Sequence, residues 1–144
     1  MADVHDKRTR SYNMSKIRSK NTRPEMIVRK FLFSKGFRYR IHDKRLPGKP
    51  DIVLPKYKTV IFVHGCFWHG HEGCKYFSVP KTNSDWWKEK IQRNKKLDAE
   101  YICALKAAGW KAITIFECEL MGRKKEETLV ELVNYLKVNG NTNN

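Results

Sequence analysis

Between His64 and Cys74 the chain reads His-Gly-Cys-Phe-Trp-His-Gly-His-Glu-Gly-Cys. Three histidines, two cysteines and two large aromatics in so short a stretch are not there to fill a core. Cys66, His71 and Cys74 offer three soft or borderline metal donors in one loop, and a closed structural zinc site takes four in a tetrahedron. Of the two remaining cysteines, Cys103 falls inside the apolar pattern of a long helix, which predicts a small buried thiol. Cys118 follows a strand end, within reach of the loop. The expected zinc site is therefore Cys66, His71, Cys74 and Cys118. Ligated on all sides by protein, such a zinc pins an irregular loop to the fold and activates no water.

With His71 assigned to zinc, His64 and His69 are left over. Asp51 follows Pro50 and opens an apolar strand, so its carboxylate is held on a rigid element. Hard Mg²⁺ takes one or two carboxylates, a backbone carbonyl and several waters. A hairpin centred near Tyr57 sets Asp51 across from Val63, whose carbonyl is a second oxygen donor. An imidazole with a near-neutral pKa takes a proton from water or orients it. A strand-end aspartate beside two such rings, in a very basic chain, favours phosphodiester cleavage. Phe67 and Trp68 serve neither metal. Two readings stay open for them: a wedge entering between base pairs, which Trp87 can join, or a local minicore around the zinc.

The elements that must position these groups follow from the rest of the pattern. Thr22-Arg-Pro-Glu25 starts a helix with capping-box spacing and Pro in the first turn. Glu25 by itself reads as a cap. Ile27, Val28, Phe31 and Leu32 make the helix stripe, and Gly36 is a natural stop. Phe37 to Ile41 alternates as a half-buried strand. Ile52-Val-Leu54 and Thr59 to Val63 flank the polar turn Pro55 to Lys58 as a hairpin. A long helix is expected from Ser84 to about Ala108, with Trp87, Lys90 and Asn94 near one face. Trp110 to Phe116 reads as a strand, and about Lys125 to Val138 as an amphipathic helix. Helix, three strands, helix, strand, helix implies an α/β domain with a mixed sheet covered by helices.

The chain has 144 residues and a net charge of +15, from thirty Lys and Arg against fifteen Asp and Glu. That length suits one domain, expected over residues 22–138, with a frayed tail over 139–144. The excess charge points to a polyanionic partner. Residues 1–21 carry Lys7, Arg8, Arg10, Lys16, Arg18 and Lys20 with few large apolar groups, an expected mobile arm that orders on that partner. Within the arm, Met14 and Ile17 are either a staple onto the body or a contact with a DNA groove. No apolar run approaches a membrane span and no signal peptide opens the chain, so a cytoplasmic protein with reduced cysteines is expected.

Five blocks together resemble the very-short-patch repair (Vsr) DNA mismatch endonucleases. They are Asp6-Lys-Arg-Thr-Arg-Ser-Tyr-Asn-Met-Ser15, Leu46-Pro-Gly-Lys-Pro-Asp51, Ile61-Phe-Val-His-Gly-Cys-Phe-Trp-His69, Trp87-Lys-Glu-Lys-Ile91 with Asn94, and Gly109-Trp110 through Glu117-Cys118. The resemblance implies a variant of the restriction-endonuclease core with a structural zinc. It implies an enzyme that nicks one strand of DNA beside the thymine of a T:G mismatch, of the kind left by deamination of 5-methylcytosine. Carried over by position, Asp51 and the Val63 carbonyl hold magnesium, His69 is the general base, and His64 and Glu25 support waters. Phe67, Trp68 and Trp87 become an intercalating wedge, while Met14, Lys90 and Asn94 touch the wobble pair. Zinc falls on the four residues already chosen. Two departures stand out: some members have Thr at the position of Val63, and the His71-Glu-Gly-Cys74 zinc loop is one residue longer than a form with a single intervening residue. The implied partners are mismatched double-stranded DNA, mismatch-repair proteins and a cognate cytosine methyltransferase. The implied setting is a bacterial cytoplasm, on the nucleoid when bound to DNA, with a monomer expected. Two alternatives remain at this stage: a restriction-type nuclease of matched DNA, and a non-catalytic zinc-stapled reader of distorted DNA.

Overall fold

Among the described residues, four strands form one mixed sheet in the order β1-β2-β3-β4, and helices cover both of its faces. The computed structural model describes residues 21–75 and 78–141. All of the basic arm but Asn21, Met14 included, therefore lies outside the described residues. Helix α1 (Arg23–Ser34) begins as its capping residues dictate, with the Thr22 hydroxyl accepting the Glu25 N–H at 3.4 Å. The reciprocal arm of the box reaches one residue further back, since Glu25 Oε1 accepts from the Asn21 N–H. The helix closes where Gly36 takes a φ of +88° and the Phe37 N–H returns to the Leu32 carbonyl. That bond uses the Phe37 amide, so the expected strand over Phe37–Ile41 shrinks to β1 (Arg40–Ile41) and the Phe37 side chain enters the core instead.

Strands β2 (Ile52–Leu54) and β3 (Thr59–His64) pair antiparallel across a 3-10 turn, Pro55–Tyr57, with Lys58 left-handed at φ 50°. Ile52 pairs with Ile61, so the register sets Asp51 opposite Phe62, one residue before the expected Val63. The turn centre lies between Lys56 and Tyr57 rather than on Tyr57, and that half-residue offset accounts for the change. Helix α2 (Ser84–Ala107) then carries the chain over one face to β4 (Lys111–Phe116), which pairs parallel with β3. A 3-10 turn, Glu117–Leu120, leads on to helix α3 (Lys124–Asn141), which runs past the expected end at Val138.

Alternation along the strands sorts the core into two layers. Ile52, Leu54 and Ile61 face Val28 and Leu32 of α1 and Leu129, Leu132, Val133 and Leu136 of α3. Val53, Val60 and Phe62 face the other way, onto Leu105 of α2. A parallel pair buried on both faces reads as an unbroken apolar run, which is why β3 shows no polar alternation. Each fully buried Leu or Ile contributes about 2 kcal/mol. The sheet is thereby rigid at the end of β3, where His64 and the loop beyond it emerge. Among the described residues, no helix is long and apolar enough to cross a membrane.

Candidate active site

The hairpin aims the Asp51 carboxylate along the edge of β3, where its Oδ2 accepts the Val63 N–H at 2.7 Å. In an antiparallel ladder a residue's N–H and C=O point to the same side, so the Val63 carbonyl also faces Asp51's flank. A cavity of about 540 Å³ opens here, lined among others by His42, Lys44, Lys49, Asp51, His64, His69 and Asp98. Burial pushes the Asp51 carboxyl up to about 6; the Val63 N–H opposes the shift and the neighbouring Glu25 charge adds to it. Glu25 comes from α1 and is buried to 1 % exposure. Its Oε2 is met by His42 Nε2 at 2.8 Å and by Arg29 Nη1 at 3.2 Å. Donor atoms of Glu25, His42 and Asp51 all lie within 4.8 Å of one another.

On the other flank, the His64 and His69 rings stack with centroids 3.7 Å apart and planes 4° from parallel. Burial, reinforced by the His69 charge, brings His64 down to about 4, so this ring is neutral at pH 7. His69 Nδ1 lies 2.6 Å from Asp98 Oδ2 on α2. A carboxylate only accepts, so the contact puts the proton on Nδ1 and leaves Nε2 as the basic nitrogen.

The loop after β3 brings the soft donors together. Cys66 Sγ, His71, Cys74 and Cys118 offer ligand atoms all within 4.8 Å of one another. Cys66 is buried and tied down by its N–H to Glu117 Oε1, and the His71 N–H bonds the Cys66 carbonyl. The His71 ring lies flat on Phe116 at 3.9 Å, with its Nδ1 3.4 Å from Cys118 Sγ. Burial pushes the Cys66 thiol up to about 12, so a thiolate there needs a cation beside it. Cys103, expected to be buried, is exposed. The buried residues of α2 are Ile91 and Leu105, with Ile102 partly buried against the same core, and Cys103 lies one residue, or about 100°, off that stripe.

The family model for DNA mismatch endonuclease Vsr matches residues 2–75. The type II nicking enzyme V.NmeAIP of Neisseria meningitidis is 51% identical over 138 residues, covering 95% of this chain and 98% of the relative. The DNA mismatch endonuclease Vsr of Escherichia coli is 45% identical over 133 residues, covering 91% and 85%. The type II nicking enzyme V.XorIIP of Xanthomonas oryzae is 49% identical over 120 residues, covering 83% and 88%. The chain belongs to the Vsr family of DNA mismatch endonucleases. It is a DNA endonuclease, a hydrolase whose substrate is DNA.

In this Vsr-family enzyme the residues singled out from the sequence gather in three neighbouring groups. Asp51, Val63, His64 and His69 share the cavity, with Glu25 behind Asp51. The four zinc candidates form their own cluster. Phe67, Trp68 and Trp87 pack on one another, with centroids 5.2 to 5.6 Å apart and tilted or edge-on rings. All three are half-buried, whereas Trp86 beside them is 56 % exposed. Asn94 Nδ2 donates to the Trp68 carbonyl at 2.9 Å, fixing the aromatic loop to α2, and Lys90 lies half-buried one turn earlier. Gly70 permits the close approach of loop and helix: at φ +59°, a Cβ there would fall 2.6 Å from Ile91 Cγ2 and from Lys95 Cε. Sequence reasoning missed His42 and Asp98. Asp98 carried a signal, since it continues the four-residue spacing from Lys90 and Asn94 on one helix face. His42 carried none.

Proposed function

We propose that this endonuclease nicks one strand of duplex DNA beside the thymine of a T:G mismatch, by Mg²⁺-assisted phosphodiester hydrolysis. The observation that carries the reading is the cavity lined by both the Asp51 carboxylate and the Asp98-held His69 ring, and joined through Asn94 to a cluster of three aromatic rings. Two relatives named as nicking enzymes support cleavage of one strand. The hard oxygens of Asp51 and the Val63 carbonyl suit Mg²⁺, and a cation beside Asp51 offsets the burial that raises its carboxyl to about 6. When bound, Mg²⁺ supplies Lewis acidity at the scissile phosphate. Cys66, His71, Cys74 and Cys118 are a donor set that fits structural Zn²⁺, which would supply a cross-link between the loop and the turn after β4.

The chain's own residues do the rest. Lys44 and Lys49 line the cavity and attract the phosphate backbone, a contact that is salt-dependent and blind to sequence. Phe67, Trp68 and Trp87 enter beside the mismatch, where unstacking costs least. Lys90 and Asn94, with Met14 from the arm, reach the wobble pair. His69 Nε2 takes the proton of the attacking water, and Asp98 stabilises the imidazolium that results. His64, neutral and stacked on His69, adds no positive charge to the site and orients water together with Glu25. The sheet and its helices are read as a variant of the restriction-endonuclease core.

A nicking assay tests this. Two labelled duplexes with randomised flanks, differing only in one T:G or C:G pair, are incubated with Mg²⁺ or with EDTA. A Mg²⁺-dependent cut on the thymine strand of the mismatched duplex alone is the expected result. Equal cutting of both duplexes overturns the mismatch assignment, and undiminished cutting in EDTA overturns the metal assignment.

A further inference from the structure

His42 makes two bonds that join the separate carriers of the acidic flank. Its backbone N–H donates to the Asp51 carbonyl at 3.2 Å, continuing the β1–β2 ladder by one residue. Its ring Nε2 lies 2.8 Å from Glu25 Oε2 on α1, 17 residues away. The residue sits at φ 48°, a left-handed backbone that non-glycine residues seldom take. In that conformation the ring turns toward Glu25 while the main chain stays on Asp51. Against a carboxylate the Nε2 must donate, so the contact also fixes the tautomer.

The carboxylate it meets is already crowded. Glu25 Oε1 accepts from the Asn21 N–H, and Oε2 accepts from both Arg29 and His42. Arg29 approaches from the same helix, four residues on, and its carbonyl is taken by the Tyr39 hydroxyl. Arg29 therefore fixes Glu25 relative to α1 only. His42 is the donor from outside α1 that holds it beside Asp51, whose Oδ2 accepts from Val63 and whose carboxyl also hydrogen-bonds Glu25 directly. The His42 bond adds to that direct contact a donor whose own main chain is anchored on Asp51.

We propose that His42 is a positioning residue for the phosphodiester chemistry, holding the Glu25 carboxylate in register with Asp51 through its Nε2–H. The proposal rests on the reading of Asp51 as the metal-holding carboxylate. It predicts that any side chain presenting an N–H donor at the same reach can replace the imidazole, and that a shorter one cannot.

The test compares His42→Gln with His42→Asn in the full chain. Both carry an amide donor. Asn tolerates the left-handed backbone best but stops one methylene short, whereas Gln reaches. Single-turnover nicking is measured against Mg²⁺ concentration, and Mn²⁺ binding to the DNA-free protein is measured by calorimetry. His42→Asn should nick about 10- to 100-fold more slowly, with a raised half-saturating Mg²⁺ and weaker Mn²⁺ binding. His42→Gln should recover most of the rate and of the Mn²⁺ affinity. Wild-type behaviour of His42→Asn, or a Gln variant as impaired as Asn, overturns the proposal. An Asn variant that fails to fold is replaced by His42→Ser, which lacks the reach as well, against the same Gln rescue. Asp51→Ala is run in parallel: normal nicking by that variant removes the underlying reading, whatever the His42 variants do.

Discussion

His69 Nδ1 and Asp98 Oδ2 lie 2.6 Å apart, joining the loop after β3 to the middle of α2. Both groups are about three-quarters buried, with 27% and 22% side-chain exposure, so the bond is little weakened by solvent. Asp98→Asn keeps the shape but removes the charge that stabilises an imidazolium, and allows the amide to select the other tautomer. Nicking should fall roughly 100- to 10,000-fold, the range for a general base deprived of its orienting partner. Binding of the mismatched duplex should be unchanged. Single-turnover rates beside an equilibrium binding titration separate the two.

Asp51 and His64 titrate in the same pH window with opposite consequences for stability. The Asp51 carboxyl rises from 3.8 to about 6 on folding, so between those values the folded chain holds a proton that the unfolded chain has lost. This group therefore adds stability as pH falls from 6 toward 4. His64 drops from 6.5 to about 4, so there the unfolded chain holds the extra proton and stability is lost as pH falls from 6.5 toward 4. Each amounts to about 3 kcal/mol, and they nearly cancel. Urea melts of the metal-free Asp51→Asn variant should therefore show a loss of about 3 kcal/mol between pH 6.5 and pH 4 beyond that of the wild type. Equal profiles for the two proteins would contradict the assignment of buried charge to Asp51.

The zinc candidates make a prediction with an internal control. Metal analysis of the purified chain should give one Zn²⁺ per molecule. Cys118→Ser should lose it and lower Tm by about 10 °C or more, because a zinc held there would tie the loop to the turn after β4. Cys103→Ser should change neither quantity, since that thiol is exposed on α2. Thermal melts with metal analysis of the same samples decide it.

Local pattern revealed most of the fold and little of the pairing between its parts. Thr22, Pro24 and Gly36 announced α1, and the apolar runs on either side of Pro55–Lys58 announced the hairpin, because each signal lies within a few residues of its effect. The four zinc candidates were legible because three of them sit in one loop. The bonds that tune the site were not. His42 meets Glu25 across 17 residues and His69 meets Asp98 across 29, distances at which only the packing of α1 and α2 on opposite faces of the sheet decides which side chains meet. The position of Asp51 opposite Phe62 turned on half a residue in the turn, which composition does not encode. Cys103 was misjudged because an apolar residue type in a helix says nothing of which side of the stripe it occupies.

The three packed aromatics yield the remaining prediction. Phe67, Trp68 and Trp87 shield one another, so removing one ring has two consequences: a small cavity in the cluster and a missing surface for base stacking. The two separate by readout. If the rings only fill a minicore, Trp68→Ala lowers Tm and leaves the affinity for mismatched and matched duplexes in the same ratio. If they enter the stack, the variant loses about 1–3 kcal/mol of binding to the mismatched duplex, while matched-duplex binding through phosphates is nearly unchanged. The rings are not fully buried, and Asn94, which holds the Trp68 carbonyl, also lines the cavity with Asp51 and His69; this favours the second outcome. An Asp51→Ala background prevents cleavage during the titration, so fluorescence anisotropy with T:G and C:G duplexes reads binding alone. A mismatch preference that survives Trp68→Ala at full strength would return these rings to the core.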